Sequence, residues 1–214
     1  MRVLITGAGG FVGSGLAASF RHEGHEVTGT IFHTSSVGPP SGKRAGQPSG
    51  GDAPTLDVRD AQEVDRLVER VRPDWACNLA AQSSAGLSWK EPTLTYSVNI
   101  AGTHLVLDAL RRYSPRCRVF VTATSDEYGR VDPALCPLDE DAPLRPLSPY
   151  AASNVAQEWV ARTLYEAFGL EVVITRAFMH NGEGQRHRLR RRTARARSLL
   201  QRQDSARRSS KWAT

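Results

Sequence analysis

Three glycines, Gly7, Gly10 and Gly13, follow directly on the apolar run Val3-Leu4-Ile5 and precede a stretch of helical character that reaches Phe20 and ends near Gly24. Glycines spaced in this way let a chain turn tightly after a strand, bring its main chain close to a pyrophosphate and pack the next helix on the strand. The free N–H groups at the helix start then face the anion. Gly7, Gly10 and Gly13, with Phe11 and Val12 between them, therefore predict a dinucleotide-binding loop. A glycine-rich turn with no ligand is the plainer alternative. The pattern Gly-x-Gly-x-x-Gly is not met, because Val12 occupies the place of its third glycine, whereas Gly-x-x-Gly-x-x-Gly is met in full.

A second β-like run at Val27–Phe32 completes a βαβ opening. From there to Pro54 the chain is rich in Gly, Pro and Ser, with Lys43 and Arg44 in the middle, and reads as a long mobile loop. Asp60 is placed to cap a helix with Val64, Leu67, Val68 and Val71 at helical spacing, stopped by Pro73. Trp75–Ala80 reads as a buried strand. Pro92 opens a helix through Val98, Leu105 and Leu110, and the strand Arg118–Thr122 follows. Pro149 opens another helix, with Val155, Trp159, Val160 and Leu164 on its apolar side, before a strand at Glu171–Thr175. Strand-like segments separated by helices predict an α/β fold: a doubly wound parallel sheet covered on both faces.

Composition excludes several classes. The 214 residues suffice for one domain and a fragment of a second. No run of eighteen apolar residues is present to cross a bilayer, and Met1-Arg2 leads straight into the first strand without a secretory leader, so a cytoplasmic protein is expected. Three cysteines, Cys77, Cys117 and Cys136, lack Cys-x-x-Cys spacing and suggest neither a disulfide framework nor a zinc site; no metal is expected. The net charge of +6 is misleading as a nucleic-acid signal. Residues 186–214 alone carry +10, which leaves −4 over residues 1–185.

Several segments, taken in order, resemble the extended short-chain dehydrogenase/reductase superfamily, whose members include nucleotide-sugar epimerases, dehydratases and reductases. Besides the glycine loop they are Leu56-Asp57-Val58, Asn78-Leu79-Ala80-Ala81, Asn99, Thr124-Ser125-Asp126-Glu127-Tyr128-Gly129, Ser148-Pro149-Tyr150 and Arg176-Ala177-Phe178. The resemblance covers residues 1–185, which it identifies as a Rossmann-like NAD(P)-binding domain. It implies that Asp57 and Val58 contact adenine, that Leu79, Ala80 and Ala81 flank the cofactor, and that Asn99, Tyr150 and Asn154 belong to the same site. The string through Gly129, with Arg176-Ala177-Phe178-x-His180, is most similar to the GDP-mannose 4,6-dehydratase and GDP-4-keto-6-deoxymannose reductase group, which favours a GDP-hexose substrate. Homodimerisation through the helices at 92–112 and 149–168 is also implied by resemblance.

Whether the cofactor is NAD or NADP stays open, because the second strand ends Gly29-Thr30-Ile31-Phe32 with no acid to bond a ribose 2′-OH. Lys43 and Arg44 are able to neutralise a 2′-phosphate, although a solvated loop pair is the favoured reading of them.

Members of the superfamily use Ser or Thr, Tyr and Lys, with Tyr and Lys four apart on one helix face. The Lys charge allows a phenol of ordinary pKa ~10 to exchange protons near neutrality. Here the matching positions hold Thr124, Tyr150 and, in place of Lys, Asn154. The charge is absent, and impaired chemistry is expected. Asp126 matches the acid that dehydratases place for proton transfer beside the sugar; an ordinary surface pair of acids with Glu127 is the alternative.

Beyond Gln185 the resemblance stops, and the Arg-rich segment 186–214 has no apolar period. A disordered polyanion-binding arm is one account, although nucleic acid is not the expected partner of the domain itself. A frameshift is the favoured account: with suitable codons, Arg186–Arg195 reads Ala-Thr-Gly-Phe-Val-Val-Ala-Gln-Leu-Ala in the next frame, similar to the family's continuation. Sequencing past the present stop is expected to reveal an open second frame encoding a helix and a substrate domain; a closed frame would leave the basic arm in front. Limited proteolysis is expected to trim the chain quickly to about residue 185, and a resistant tail would contradict both accounts.

Overall fold

The computed structural model describes residues 1–32, 53–180 and 182, and Met1–Met179 forms one compact unit. The expectations for the loop at 33–54, apart from its last two residues, and for the tail at 186–214 lie outside the described residues. Five parallel strands, β1 (Arg2–Thr6), β2 (Glu26–Gly29), β3 (Trp75–Asn78), β4 (Arg118–Thr124) and β5 (Val172–Ala177), lie in the order β2-β1-β3-β4-β5. The second expected strand, Val27–Phe32, ends as β2 at Gly29, and beyond it Ile31 keeps only a single parallel bridge to Thr55. The order reverses between β1 and β3, and in open sheets of this kind the crevice at the carboxyl ends of the two strands flanking the reversal receives the ligand.

Strand alternation divides the core. Leu4, Val119 and Val121 point to the face covered by α2 (Ala61–Val71), α5 (Thr103–Tyr113) and α6 (Pro149–Phe168), where they meet Leu67, Leu107, Leu110, Ala161 and Leu164. Val3, Ile5 and Cys77 point the other way, toward α1 (Phe11–His22), with Ala17, Phe20 and Trp75. Cover on that second face is incomplete among the described residues. Val173 of β5, the last strand in the order, is 62% exposed on that side.

Local signals behave as their chemistry dictates. The Asp60 carboxylate caps α2 by accepting the Gln62 and Glu63 N–H groups, and Arg72, in the left-handed region, ends it before Pro73. Ser148 caps α6 through the Ala151 N–H, with Pro149 in its first turn. The expected helix from Pro92 is continuous but not uniform: α4 (Pro92–Tyr96) passes through a wide π turn, Ser97–Gly102, into α5. The short helix α3 (Ala85–Ser88) precedes it.

The expected apolar side of α6 is split. Leu164 is buried in the core and Val160 packs against it, whereas Trp159 is 61% exposed, and Ser153, Asn154, Gln157 and Glu158 are buried. Hydrophobic spacing misled for the first turns because their interior side serves a polar network, described below.

The cysteines are free, and burial pushes the Cys77 thiol up to about 11 and, reinforced by Asp74 and Cys77, the Cys117 thiol up to about 12. No described helix is long and apolar enough to cross a membrane.

Candidate active site

The turn after β1 is built by absence of side chains. Gly7 has φ +72, and a Cβ there would stand 2.8 Å from the main-chain carbon and oxygen of Leu79. A Cβ on Gly13 would stand 2.5 Å from the Gly7 carbonyl oxygen, so α1 seats directly on the turn only without one. Gly10 is the N-cap of α1, with no side chain capping the helix and no acid in its first turn. The helix start therefore presents N–H groups and the positive end of its dipole toward the crevice, the arrangement a pyrophosphate requires.

The opposite wall is the end of β3. The Thr6 hydroxyl donates to Asn78 Oδ1 at 2.7 Å, and its oxygen accepts the N–H groups of Leu79 and Ala80, each at 3.2 Å. Asn78 Nδ2 donates to the Thr103 hydroxyl, which donates to Gln157 Oε1, and Gln157 Nε2 donates to the Thr122 carbonyl oxygen. A buried chain of amides and hydroxyls thus ties β1, β3, α5, α6 and β4 together beneath the site. Its members Thr6, Thr103 and Gln157 were not among the expected site residues; their bonding partners lie 25 to 72 positions away in the chain.

Asn99, implied to sit in the cofactor site, is fully buried in the π turn. Its Oδ1 accepts the Gln82 N–H, and its Nδ2 donates to the Gln82 carbonyl and the Ser153 hydroxyl. It clasps the segment after Ala81 and has no surface to offer a ligand. Asp57 forms a two-point ion pair with Arg59, at 2.6 Å and 2.9 Å, which holds its carboxyl below the ordinary range. Arg59 also lies over the Phe32 ring at the end of the second strand segment. Val58 is buried against Gly102.

The three catalytic candidates converge. Thr124 ends β4 and caps the following turn of 3₁₀ helix, Ser125–Tyr128. Its hydroxyl and the Asn154 side chain lie near enough to the Tyr150 phenol to favour its ionised form. One Asn154 N–H is committed to the Tyr150 carbonyl oxygen one turn earlier, at 2.8 Å. Burial raises the Tyr150 phenol above its ordinary value; Thr124 and Asn154 oppose the shift, and the charges of Asp126 and Glu127 add to it. Asp126 is exposed, as a surface acid would be, whereas Glu127 is fully buried and is not a surface acid. At neutral pH the phenol is protonated: it is equipped to give a proton and not to take one. Among the described residues no three His, Cys, Asp or Glu side chains gather as a metal site.

Sheet order, glycine turn and the Thr-Tyr pair at the sheet's carboxyl edge together define a Rossmann-type nucleotide-binding domain. The family model described as GDP-mannose 4,6 dehydratase matches residues 4–206, and the chain belongs to that family. The match runs past Gln185, where the resemblance read from the sequence stops.

Among curated relatives, the chain is 36% identical over 174 residues to a UDP-glucose 4-epimerase of Streptomyces lividans, covering 80% of this chain and 50% of the relative. It is 30% identical over 176 residues to a GDP-mannose 4,6-dehydratase of Vibrio cholerae, covering 79% and 47%. The chain thus spans about half the length of the curated relatives it matches. A UDP-glucose 4-epimerase of Thermus thermophilus, solved in complex with NAD, superposes with a TM-score of 0.71 at 33% identity, over 82% of this chain and 54% of that one. RMD of Pseudomonas aeruginosa, complexed with NADPH, gives 0.69 at 25% identity, over 87% and 56%.

The missing positive charge has a direct test. Asn154→Lys is expected to move the Tyr150 titration down by about 1–3 pH units, the effect of a nearby opposite charge on an acid. Ultraviolet titration, with Tyr150→Phe subtracted to isolate this phenol from the four other tyrosines, reads the shift. An unchanged curve would mean that position 154 does not face the phenol.

Proposed function

We propose that the chain is the NAD(P)-binding part of a nucleotide-sugar-modifying enzyme acting at C4 of the sugar, with a GDP-hexose as the favoured substrate and dehydration or ketone reduction as the favoured reaction. The observation that carries this reading is the Thr124–Tyr150 pair, held at the sheet's carboxyl edge where the glycine turn meets the end of β3. The cradle that a Cβ would fill at Gly7 and Gly13, and the acid-free helix start behind it, suit a dinucleotide pyrophosphate. The main chain at Leu79–Ala81 would flank the cofactor, and Asp57 with Arg59 would line its adenine end. Relatives with NAD and with NADPH support either cofactor, and the acid-free end at Phe32 leaves both admissible.

When bound, the nicotinamide would exchange a hydride with sugar C4. Thr124 would bond the C4 oxygen, and Tyr150 would deliver a proton to it. Asp126 stands within electrostatic reach of the phenol and is the acid suited to moving a proton at a neighbouring sugar carbon. Because Asn154 supplies no charge, proton exchange at Tyr150 is expected to be slower than with a Lys by about 10²–10⁴, the usual worth of an acid–base element. The same feature supports a second reading, a dinucleotide-binding module without turnover; cofactor binding with no reaction on any nucleotide sugar would favour it.

The outer stripe of α6 fits a homodimer. Val155, Trp159 and Val160, with Ile100 and Pro146, form an open apolar hollow of about 610 Å³ along the two long helices. Sedimentation is expected to show a dimer that Trp159→Lys dissociates; a wild-type monomer would count against it.

Calorimetry with NADH and NADPH tests the cofactor reading. Gly10→Glu puts a carboxylate at the helix start and is expected to abolish binding of whichever dinucleotide the wild type takes. Equal heats for both proteins would remove the site from this loop.

A further inference from the structure

Glu127 follows Asp126 in the chain, yet none of its side chain reaches solvent. Its Oε1 accepts the Thr124 main-chain N–H at 3.2 Å and closes the capping box that presents the Thr124 hydroxyl. Its Oε2 has no donor. The cation beside it, Arg176 on β5, keeps its Nε 3.6 Å away and gives a two-pronged bond to Glu158 on α6, at 2.7 Å and 2.9 Å. The remaining guanidinium nitrogen donates to the Tyr128 hydroxyl and the Glu140 carbonyl oxygen.

The same Arg176 Nε stands 2.7 Å from Glu158 Oε1 and 3.6 Å from Glu127 Oε2, which brings the two buried carboxyls side by side. Two carboxyls in that relation inside a protein share a proton, because like charges so close do not both ionise. With the proton, the two acids and Arg176 sum to zero; without it, they carry one negative charge in the interior, and the further cation, the half-exposed Arg162, stands 3.9 Å from Glu158 on the solvent side. The ionisable groups packed around the pair are Tyr128 on the same turn, whose hydroxyl accepts from Arg176, Arg162 on α6 and Arg176 on β5, while Tyr150 on α6 feels the charges of both Asp126 and Glu127. Tyr150, Asn154 and Glu158 fall four apart on one stripe of α6, so the shared proton sits two turns along the helix from the phenol.

We propose that Glu127 is a positioning residue: the proton it shares with Glu158 under the Arg176 clamp holds the Thr124 turn and keeps negative charge away from the Tyr150 phenol. The functional importance of that phenol rests on the reading in the preceding subsection; the proton-sharing itself does not. Burial, opposed by the Thr124 N–H and reinforced by Glu158, pushes Glu127 up to about 8. Arg176 overcomes the desolvation of Glu158 and holds it below the ordinary range, so the proton belongs to Glu127. The folded value exceeds the unfolded one of 4.5. The stabilisation is therefore complete below pH 4.5 and is lost as pH rises through about 8. Over the upper part of that range, ionised Glu127 adds its charge to the field on Tyr150, and Asn154 brings none to cancel it.

Carbon NMR of protein labelled at tyrosine Cζ, with Tyr150→Phe assigning the signal, reads this coupling without cofactor or substrate. The wild-type Tyr150 resonance is expected to show an inflection near pH 8 ahead of its own titration. Glu127→Gln, which keeps an oxygen for the Thr124 N–H and offers an N–H to Glu158, is expected to fold and to lose that inflection. Infrared difference spectra taken on either side of pH 8 should show a protonated carboxyl disappearing in the wild type and not in Glu127→Gln. An inflection that survives in Glu127→Gln, or a wild-type spectrum with no protonated carboxyl below pH 8, overturns the proposal. Either failure is separable from failure of the cofactor reading, which would appear as unchanged calorimetric heats in Gly10→Glu.

Discussion

The site depends on one close approach, that of the Gly7 turn to the main chain of Leu79 and Ala80. No side chain fits between them, since a Cβ at Gly7 would fall within 2.9 Å of three main-chain atoms. Thr6 secures the contact with a hydroxyl that serves three partners at once, two N–H groups and the Asn78 amide oxygen. Because parallel strands at an order reversal diverge above their last hydrogen bond, this pinning sets the width of the crevice. The position of α1 on one wall and of Asn78 on the other follows from it. From Asn78 the same constraint passes through Thr103 and Gln157 to the strand that carries Thr124. The nucleotide loop and the Thr-Tyr pair, far apart in sequence, are thus parts of one hydrogen-bonded frame.

Polar burial on this scale has a cost that the pairing of the buried amides offsets. An unsatisfied amide or hydroxyl in a protein interior costs on the order of 1–3 kcal/mol, whereas a paired one is close to neutral. Asn78, Asn99 and Gln157 each bond through both ends of the amide. The inner face of α6 therefore uses amides in its first half, before Ala161 and Leu164 join the apolar core, and geometry is fixed there more sharply than apolar contact would fix it. Asn154 belongs to this face too, and the loss of a lysine charge there leaves packing undisturbed.

Much of the fold was legible in short-range chemistry. The glycine spacing, the Asp60 cap, Pro92, Pro149 and the left-handed glycine at 169 mark their elements because each acts within a few residues. Thr124, Tyr150 and Asn154 were legible through resemblance, and the structure brings them together. Other features turn on partners that sequence does not display. Asp126 and Glu127 are adjacent acids with opposite fates, decided by Arg176 and Glu158. Asn99 looked like a ligand contact and is a clasp. Trp159 satisfied a helical apolar stripe whose direction no periodicity specifies. Asp57 matched an adenine contact, and its pairing with Arg59 two residues on was not read from the pattern.

The π turn at Ser97–Gly102 is a matter of helical phase. Each residue of an α-helix advances the side-chain direction by about 100°, so a single extra residue would swing everything downstream away from its partners. A π turn absorbs that residue locally, at the expense of looser main-chain bonding. Here it lets the helix satisfy two surfaces that are out of step: Asn99 meets Gln82 and Ser153, while Thr103 one turn on meets Asn78 and Gln157. Gly102 lies where the wider turn brings the backbone against Val58. The helix behaves as a vernier, with two scales of slightly different pitch aligned at one mark, and the mark is the level of the nucleotide crevice.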